Sequence, residues 1–345
     1  MEFSSGLLKI HREPNEWKGV LASRVTGAAE LMSKLIGAEI NRAISSQNVL
    51  MKLVVKIMGK KAEDAIAPYI AAVVLLVSSA RSVSPEKVGE LLKAIGIEPQ
   101  KRELDFVSMI HFDSATAAYA PVFYFVTLIK DEPDAEALMK VINALGLEAK
   151  EETANYVMKI YKETILGKSD QKPNKLQEML DVSIKSASEM LSKLELMELD
   201  RIFEIKNMKT YIEEGMIPYL GAVGVMEYMG RDIGLEGVES FRDGVKKVIA
   251  SIGASPDDKM LDIVTKSLNI GNFPFVYVSA IYFILGTGQE PNVQKMIDVV
   301  RTLGLKTDEA PASYLLTLYR QMNPKDNGTS NFENIKYAYL YKVVE

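Results

Sequence analysis

Apolar residues recur at helical spacing along nearly the whole chain. From Val20 to Met58 they fall at Leu31, Leu35, Ile36, Ile40 and Ile44, then at Val49, Leu50, Leu53, Val54 and Ile57. Such a stripe predicts one or two long helices with one face turned to a core. A second stripe runs from Leu176 through Leu180, Ile184, Ala187, Leu191 and Leu194 to Ile202. Each long stripe is followed by two shorter units of about 45 to 50 residues. A unit opens with a helix that is apolar almost all round (Tyr69 to Ser79, Val122 to Ile129, Tyr219 to Met229, Val276 to Leu285). An amphipathic second helix follows and stops at a glycine: Ile95-Gly96-Ile97, Leu145-Gly146-Leu147, Ile252-Gly253-Ala254 and Leu303-Gly304-Leu305. Glycine just past a last helical turn takes the left-handed conformation that satisfies orphan carbonyls. A third helix closes each unit (Lys101 to Ile110, Glu151 to Tyr161, Asp257 to Leu268, Ala312 to Met322). Ser84-Pro85-Glu86 and Ser255-Pro256-Asp257-Asp258 supply cap, first-turn proline and first-turn acid for two helix starts.

The pattern is a duplication. Pro68-Tyr69-Ile70-Ala71-Ala72-Val73 returns as Pro218-Tyr219-Leu220-Gly221-Ala222-Val223, and Leu31-Met32-Ser33-Lys34-Leu35 as Met190-Leu191-Ser192-Lys193-Leu194. Pro121-Val122-Phe123-Tyr124-Phe125-Val126 is matched to Pro274-Phe275-Val276-Tyr277-Val278-Ser279. The offsets are about 150 to 159 residues. The expected organisation is an N-terminal arm at 1–19, a first helical half at 20–166, a polar linker at 167–174, a second half at 175–323 and a tyrosine-rich tail at 324–345. The fold class is all-α. Three short helices bury too little to stand alone, so the expectation is that the two units of each half pair with one another around their long helix.

At 345 residues, 48% hydrophobic and 25% charged, the chain has room for two ordinary cores and the balance of a folded protein. It has no cysteine, which removes disulfides, thiolate nucleophiles and thiolate ligands. The apolar runs at 65–80 and 114–129 are short for a bilayer, and Asn269, Gly271, Asn272 and Pro274 interrupt the one at 267–289. No membrane span and no export signal are expected, and the location expected is cytoplasmic. Net charge is −5, yet residues 1–61 carry ten Lys/Arg against five Glu. A basic segment on an acidic body suits RNA phosphates or an acidic partner, or is simply a solvated helix face.

Residues 69–110 resemble the N-terminal dimerisation domain of the archaeal and eukaryotic acidic ribosomal stalk proteins. The likeness rests on Tyr69 to Ala80, Val83-Ser84-Pro85-Glu86-Lys87-Val88, Leu92-Lys93-Ala94-Ile95-Gly96-Ile97-Glu98 and Asp105-Phe106-Val107. It is weaker for 121–161, 219–268 and 276–322. The resemblance implies pairing of units through their first two helices, and pairs that clamp a long helix, here 20–58 and 176–202. The chain departs from that family at its end, where Tyr337 to Glu345 stands in place of an Ala-rich hinge and an acidic tail.

Chemistry is sparse. His11 and His111 have no second histidine or cysteine beside them, and His111 is expected at a helix C-terminus. Gly167-Lys168-Ser169 lacks the earlier glycine of a phosphate loop, Gly286-Thr287-Gly288 reads as a turn, and Ser84 to Lys87 reads as a cap. No cofactor, metal or catalytic residue is expected, and the chain is not expected to be an enzyme. The residues favoured for partner contact are Lys9, Arg12, Lys18 and Arg24 and the period-2 row Tyr337, Tyr339 and Tyr341, whose segment is a strand or a last helix. The functional expectation is an archaeal-type interaction protein associated with the ribosome or translation, such as a factor holding ribosomal particles idle, with ribosomal proteins and rRNA as partners. The alternative is a self-assembling scaffold, including a homodimer, in which units pair between chains.

Overall fold

The computed structural model describes residues 16–46, 60–79, 81–112, 114–130, 133–163, 184–185, 187, 190–191, 194, 216–228, 238–267 and 275–323. Among these residues there are thirteen helices and no strand, so the protein is all-α. The long helix α1 (Glu16–Ser46) precedes four three-helix modules. Module A is α2 (Lys60–Ser78), α3 (Pro85–Ala94) and α4 (Lys101–Val107). Module B is α5 (Ser114–Thr127), α6 (Ala135–Ala144) and α7 (Glu151–Tyr161). Module C is α8 (Ile217–Tyr228), α9 (Val238–Ser251) and α10 (Asp258–Ser267). Module D is α11 (Phe275–Gly286), α12 (Val293–Thr302) and α13 (Glu309–Met322). In each module all three helices touch one another.

Local sequence sets the helix ends. Ser84 accepts the Lys87 N–H, Asp134 that of Ala137, Asn292 that of Lys295 and Asp308 that of Ala310. Each bond satisfies an amide that has no partner inside its helix. At the other end, Gly96, Gly146, Gly253 and Gly304 have φ of 80°, 73°, 84° and 78°. The next residue turns back in three cases: Ile97 donates to Leu92 O, Leu147 to Ile142 O and Leu305 to Val300 O. All four expected glycine stops are therefore left-handed caps. Three starts differ clearly from expectation. α2 begins at Lys60, well before Tyr69, and carries Pro68 inside it. α10 begins at Asp258 and is capped by Asp257, which accepts the Met260 N–H, so Ser255 and Pro256 lie in the connection. α5 begins at Ser114, well before Val122, and carries Pro121 inside it.

The modules do not pair within each half, as the sequence pattern suggested. Module A pairs with module D, α2 on α11 and α3 on α12, and module B pairs with module C, α5 on α8 and α6 on α9. Contact between A and B, or between C and D, is made mainly through their first helices and is slighter. The four first helices thus form a closed ring, α2–α11–α8–α5. This is why they are apolar on every side, and why periodicity could not say which faces meet. Tyr119, Phe123, Phe125, Tyr277 and Phe283 are among the largest side chains sealed in this core. Burying each large apolar group contributes about 1.5–3 kcal/mol. Gln289 of module D donates through Nε2 to Ile95 O of module A at 3.2 Å, a bond between residues from opposite halves.

Candidate functional site

The same hydrogen bond recurs in all four modules. A buried tyrosine of the first helix reaches the backbone at the start of the third. Gln100 N–H donates to Tyr69 Oη at 2.6 Å, Lys150 N–H to Tyr119 Oη at 3.2 Å, Asp257 N–H to Tyr219 Oη at 2.6 Å and Asp308 N–H to Tyr277 Oη at 3.0 Å. Tyr119 and Tyr277 also donate back to the carbonyls of Lys150 and Asp308. The separation is 31 residues in modules A, B and D and 38 in C, where the second helix is longer. The tyrosine latches therefore define equivalent positions. Tyr119 corresponds to Tyr277, so Pro121 and Pro274 are not counterparts and the sequence match between them is out of register.

Burial raises the pKa of Tyr69, Tyr219 and Tyr277, against the opposing effect of the amide each accepts from. A phenol whose folded-state pKa lies above the unfolded value of about 10 contributes its stability fully below that pH. The contribution is lost as pH rises through the folded value. Alkaline titration is therefore expected to show part of the phenolate absorbance appearing in one step with loss of helical circular dichroism. A smooth phenol titration near pH 10 with the helix signal intact would contradict the latch.

The long helix α1 is seated on module B. The helix packs on α5 and α7 through Leu31, Met32, Leu35, Ile36 and Ile40, all buried. Gly27 lies so close to the ring of Tyr124 that a β-carbon there would overlap it. Tyr124 belongs to an aromatic group with Phe123 and Tyr161: the Phe123–Tyr161 centroids are 4.3 Å apart, and Tyr124 meets Tyr161 edge-on at 6.5 Å and 83°. Toward the helix end, Arg42 pairs with Glu39 at 2.8 Å, and burial followed by the charge of Glu39 raises the pKa of Tyr156 on α7. Module D repeats the aromatic pair as Tyr282 and Tyr319, edge-on at 6.1 Å and 89°. In the second long stripe Ile184, Met190 and Leu194 are helical and buried, as Leu31 and Leu35 are in the first.

Of the residues favoured for partner contact, Lys18 and Arg24 lie on α1, ahead of the seated stretch. Lys9, Arg12, Tyr337, Tyr339 and Tyr341 lie outside the described residues, as do His11 and the Gly167-Lys168-Ser169 segment. His111 is exposed and lies past the end of α4, which stops at Val107, so it does not stand at the helix terminus as expected. Gly286 closes α11 and Gly288 has φ of 77°, a turn as expected. Among the described residues no cluster of His, Cys, Asp or Glu has a metal-holding arrangement, and no helix is long and apolar enough to cross a membrane. The acids at Asp257 and Asp258 serve structure: Asp257 caps α10, and Arg242 binds Asp258 at 2.9 Å and Asp262 at 2.7 Å.

Sequence reasoning missed the four latch tyrosines and the aromatic contacts of Phe123, Tyr124 and Tyr161 and of Tyr282 and Tyr319. A signal was present, since three of the tyrosines stand at one fixed distance before a glycine stop. Comparison with family models, with curated proteins and with solved structures gave no match.

Proposed function

We propose that this chain is a non-enzymatic helical interaction protein that binds ribosomal particles, in the manner of an archaeal-type cytoplasmic factor that holds them idle. The observation that carries the reading is the isologous pairing of modules, first helix on first and second on second, with a long helix seated on one module. The resemblance to the acidic stalk proteins implies pairing through the first two helices, which supports the reading, although the pairs here form between halves and not within them. In this reading the two module pairs are a rigid body, and the basic stretch containing Lys9, Arg12, Lys18 and Arg24 meets phosphate or an acidic protein surface. The tail with Tyr337, Tyr339 and Tyr341 supplies a second contact, and two linked contacts gain from effective concentration. The scaffold reading needs module surfaces free to pair between chains, whereas here the first and second helices of all four modules are already engaged within one chain.

Co-sedimentation with ribosomal particles at moderate salt tests the proposal. The chain is expected to travel with a subunit or particle fraction, and charge reversal at Lys9, Arg12, Lys18 and Arg24 to reduce that association at least about tenfold and to make what remains less sensitive to salt, since the salt dependence scales with the number of phosphate contacts. Absence from every ribosomal fraction would overturn it.

A further inference from the structure

The latch tyrosines fix equivalent positions, and two of these lie where first helices cross. In the A–D pair the second residue after the latch, Ala71, faces the ninth residue after the latch, Gly286. A β-carbon on Gly286 would come within 2.8 Å of the Ala71 β-carbon. In the B–C pair the same two positions are Gly221 and Leu128. A β-carbon on Gly221 would meet Leu128 Cδ1 at 2.6 Å and Phe125 Cδ2 at 3.2 Å. Each crossing thus has one glycine, but on opposite sides: module D supplies it in one pair and module C in the other. Exchanging partners would set Ala71 against Leu128, a methyl in the space that Gly221 leaves empty. It would also set Gly221 against Gly286, where neither has a side chain to fill the crossing. Close-packed interiors punish both errors, overlap and void alike.

We propose that residue size at Ala71, Leu128, Gly221 and Gly286 selects the partner of each module, so that the two halves of this chain fit each other rather than themselves. The proposal is independent of the functional reading above, because it concerns only which module surfaces are complementary. A second copy of the chain presents the same complementary surfaces, so an exchange of halves between two copies would keep both crossings matched.

Two variants of the full chain test it. The first, Leu128→Gly with Gly286→Leu, exchanges the residues at one position and leaves composition unchanged, so intrinsic helix preferences largely cancel. It mismatches both crossings and is expected to lower the melting temperature by about 5–10 °C. The second adds Ala71→Gly and Gly221→Ala, which transposes the whole code and restores complementarity. It is expected to recover at least half of the loss. A first variant that melts with the parent, or a second no more stable than the first, would overturn the proposal. Should the first variant not fold, a cooperative melt in the second supports the code, and a second variant that also fails to fold sinks it.

Discussion

Replacing Tyr277 by alanine is expected to lower stability by about 3–5 kcal/mol, the range for deleting a large buried aromatic. Tyr277 is fully buried in α11, and its hydroxyl both accepts from Asp308 N–H at 3.0 Å and donates to Asp308 O at 3.1 Å. Two separable effects meet here. The ring fills the core between α11 and its neighbours, and the hydroxyl fixes the residue that begins α13. Tyr277→Phe keeps the ring and removes only the hydroxyl, leaving a part-buried amide and carbonyl without their partner. It is expected to cost about 1–3 kcal/mol. Denaturant unfolding of both variants checks the order. A phenylalanine variant as stable as the parent would show that the hydroxyl adds nothing and that the fourfold recurrence of the bond is incidental.

The second large effect is expected at Gly286. A β-carbon there would lie 2.8 Å from the β-carbon of Ala71, and neither atom could swing away because each is fixed to its backbone. Gly286→Val therefore requires α2 and α11 to separate, at a cost of about 1–3 kcal/mol or somewhat more. A glycine at a helix end gives little propensity gain to set against that. The sharper check is suppression: Ala71→Gly added to Gly286→Val should return part of the loss, because it removes the atom that is struck. Sites without shared partners give additive effects, so strict additivity of these two changes would place them apart in the folded protein.

What could be read from the sequence was whatever is decided locally. Helical spacing, the cap at Ser84 and the four glycine stops depend on neighbours a few residues away, and they stand as expected. Both module pairs join first helix to first and second to second, but between the halves and not within them as the pattern suggested. The choice of partner was not legible. A helix such as Phe275–Gly286, apolar on all sides, carries no stripe to show which face meets which helix. The cue lay in single residues, Gly221 opposite Leu128 and Gly286 opposite Ala71, which have meaning only once the helices are placed side by side. The register error at Pro121 and Pro274 has a similar origin. Apolar runs align with one another at several shifts, whereas the spacing from latch tyrosine to third-helix start is fixed by a hydrogen bond. For the residues favoured for partner contact the position is reversed. Lys18 and Arg24 were chosen on charge alone, and the seat beside them, built from Gly27, Tyr124 and Tyr161, needed three separate segments to be brought together.

The account rests on modules joining across the two halves of the chain, and the absence of cysteine makes one direct test clean. Cysteines placed together at Ala71 and Gly286 become the sole thiol pair, close enough for a disulfide after slight adjustment. Mild oxidation should convert the monomer to a species that runs ahead on a non-reducing gel, closed by a bond between halves, while the pair placed at Ala71 and Leu128 should remain reduced. Closure of the Ala71–Leu128 pair together with failure at Ala71–Gly286 would contradict the account.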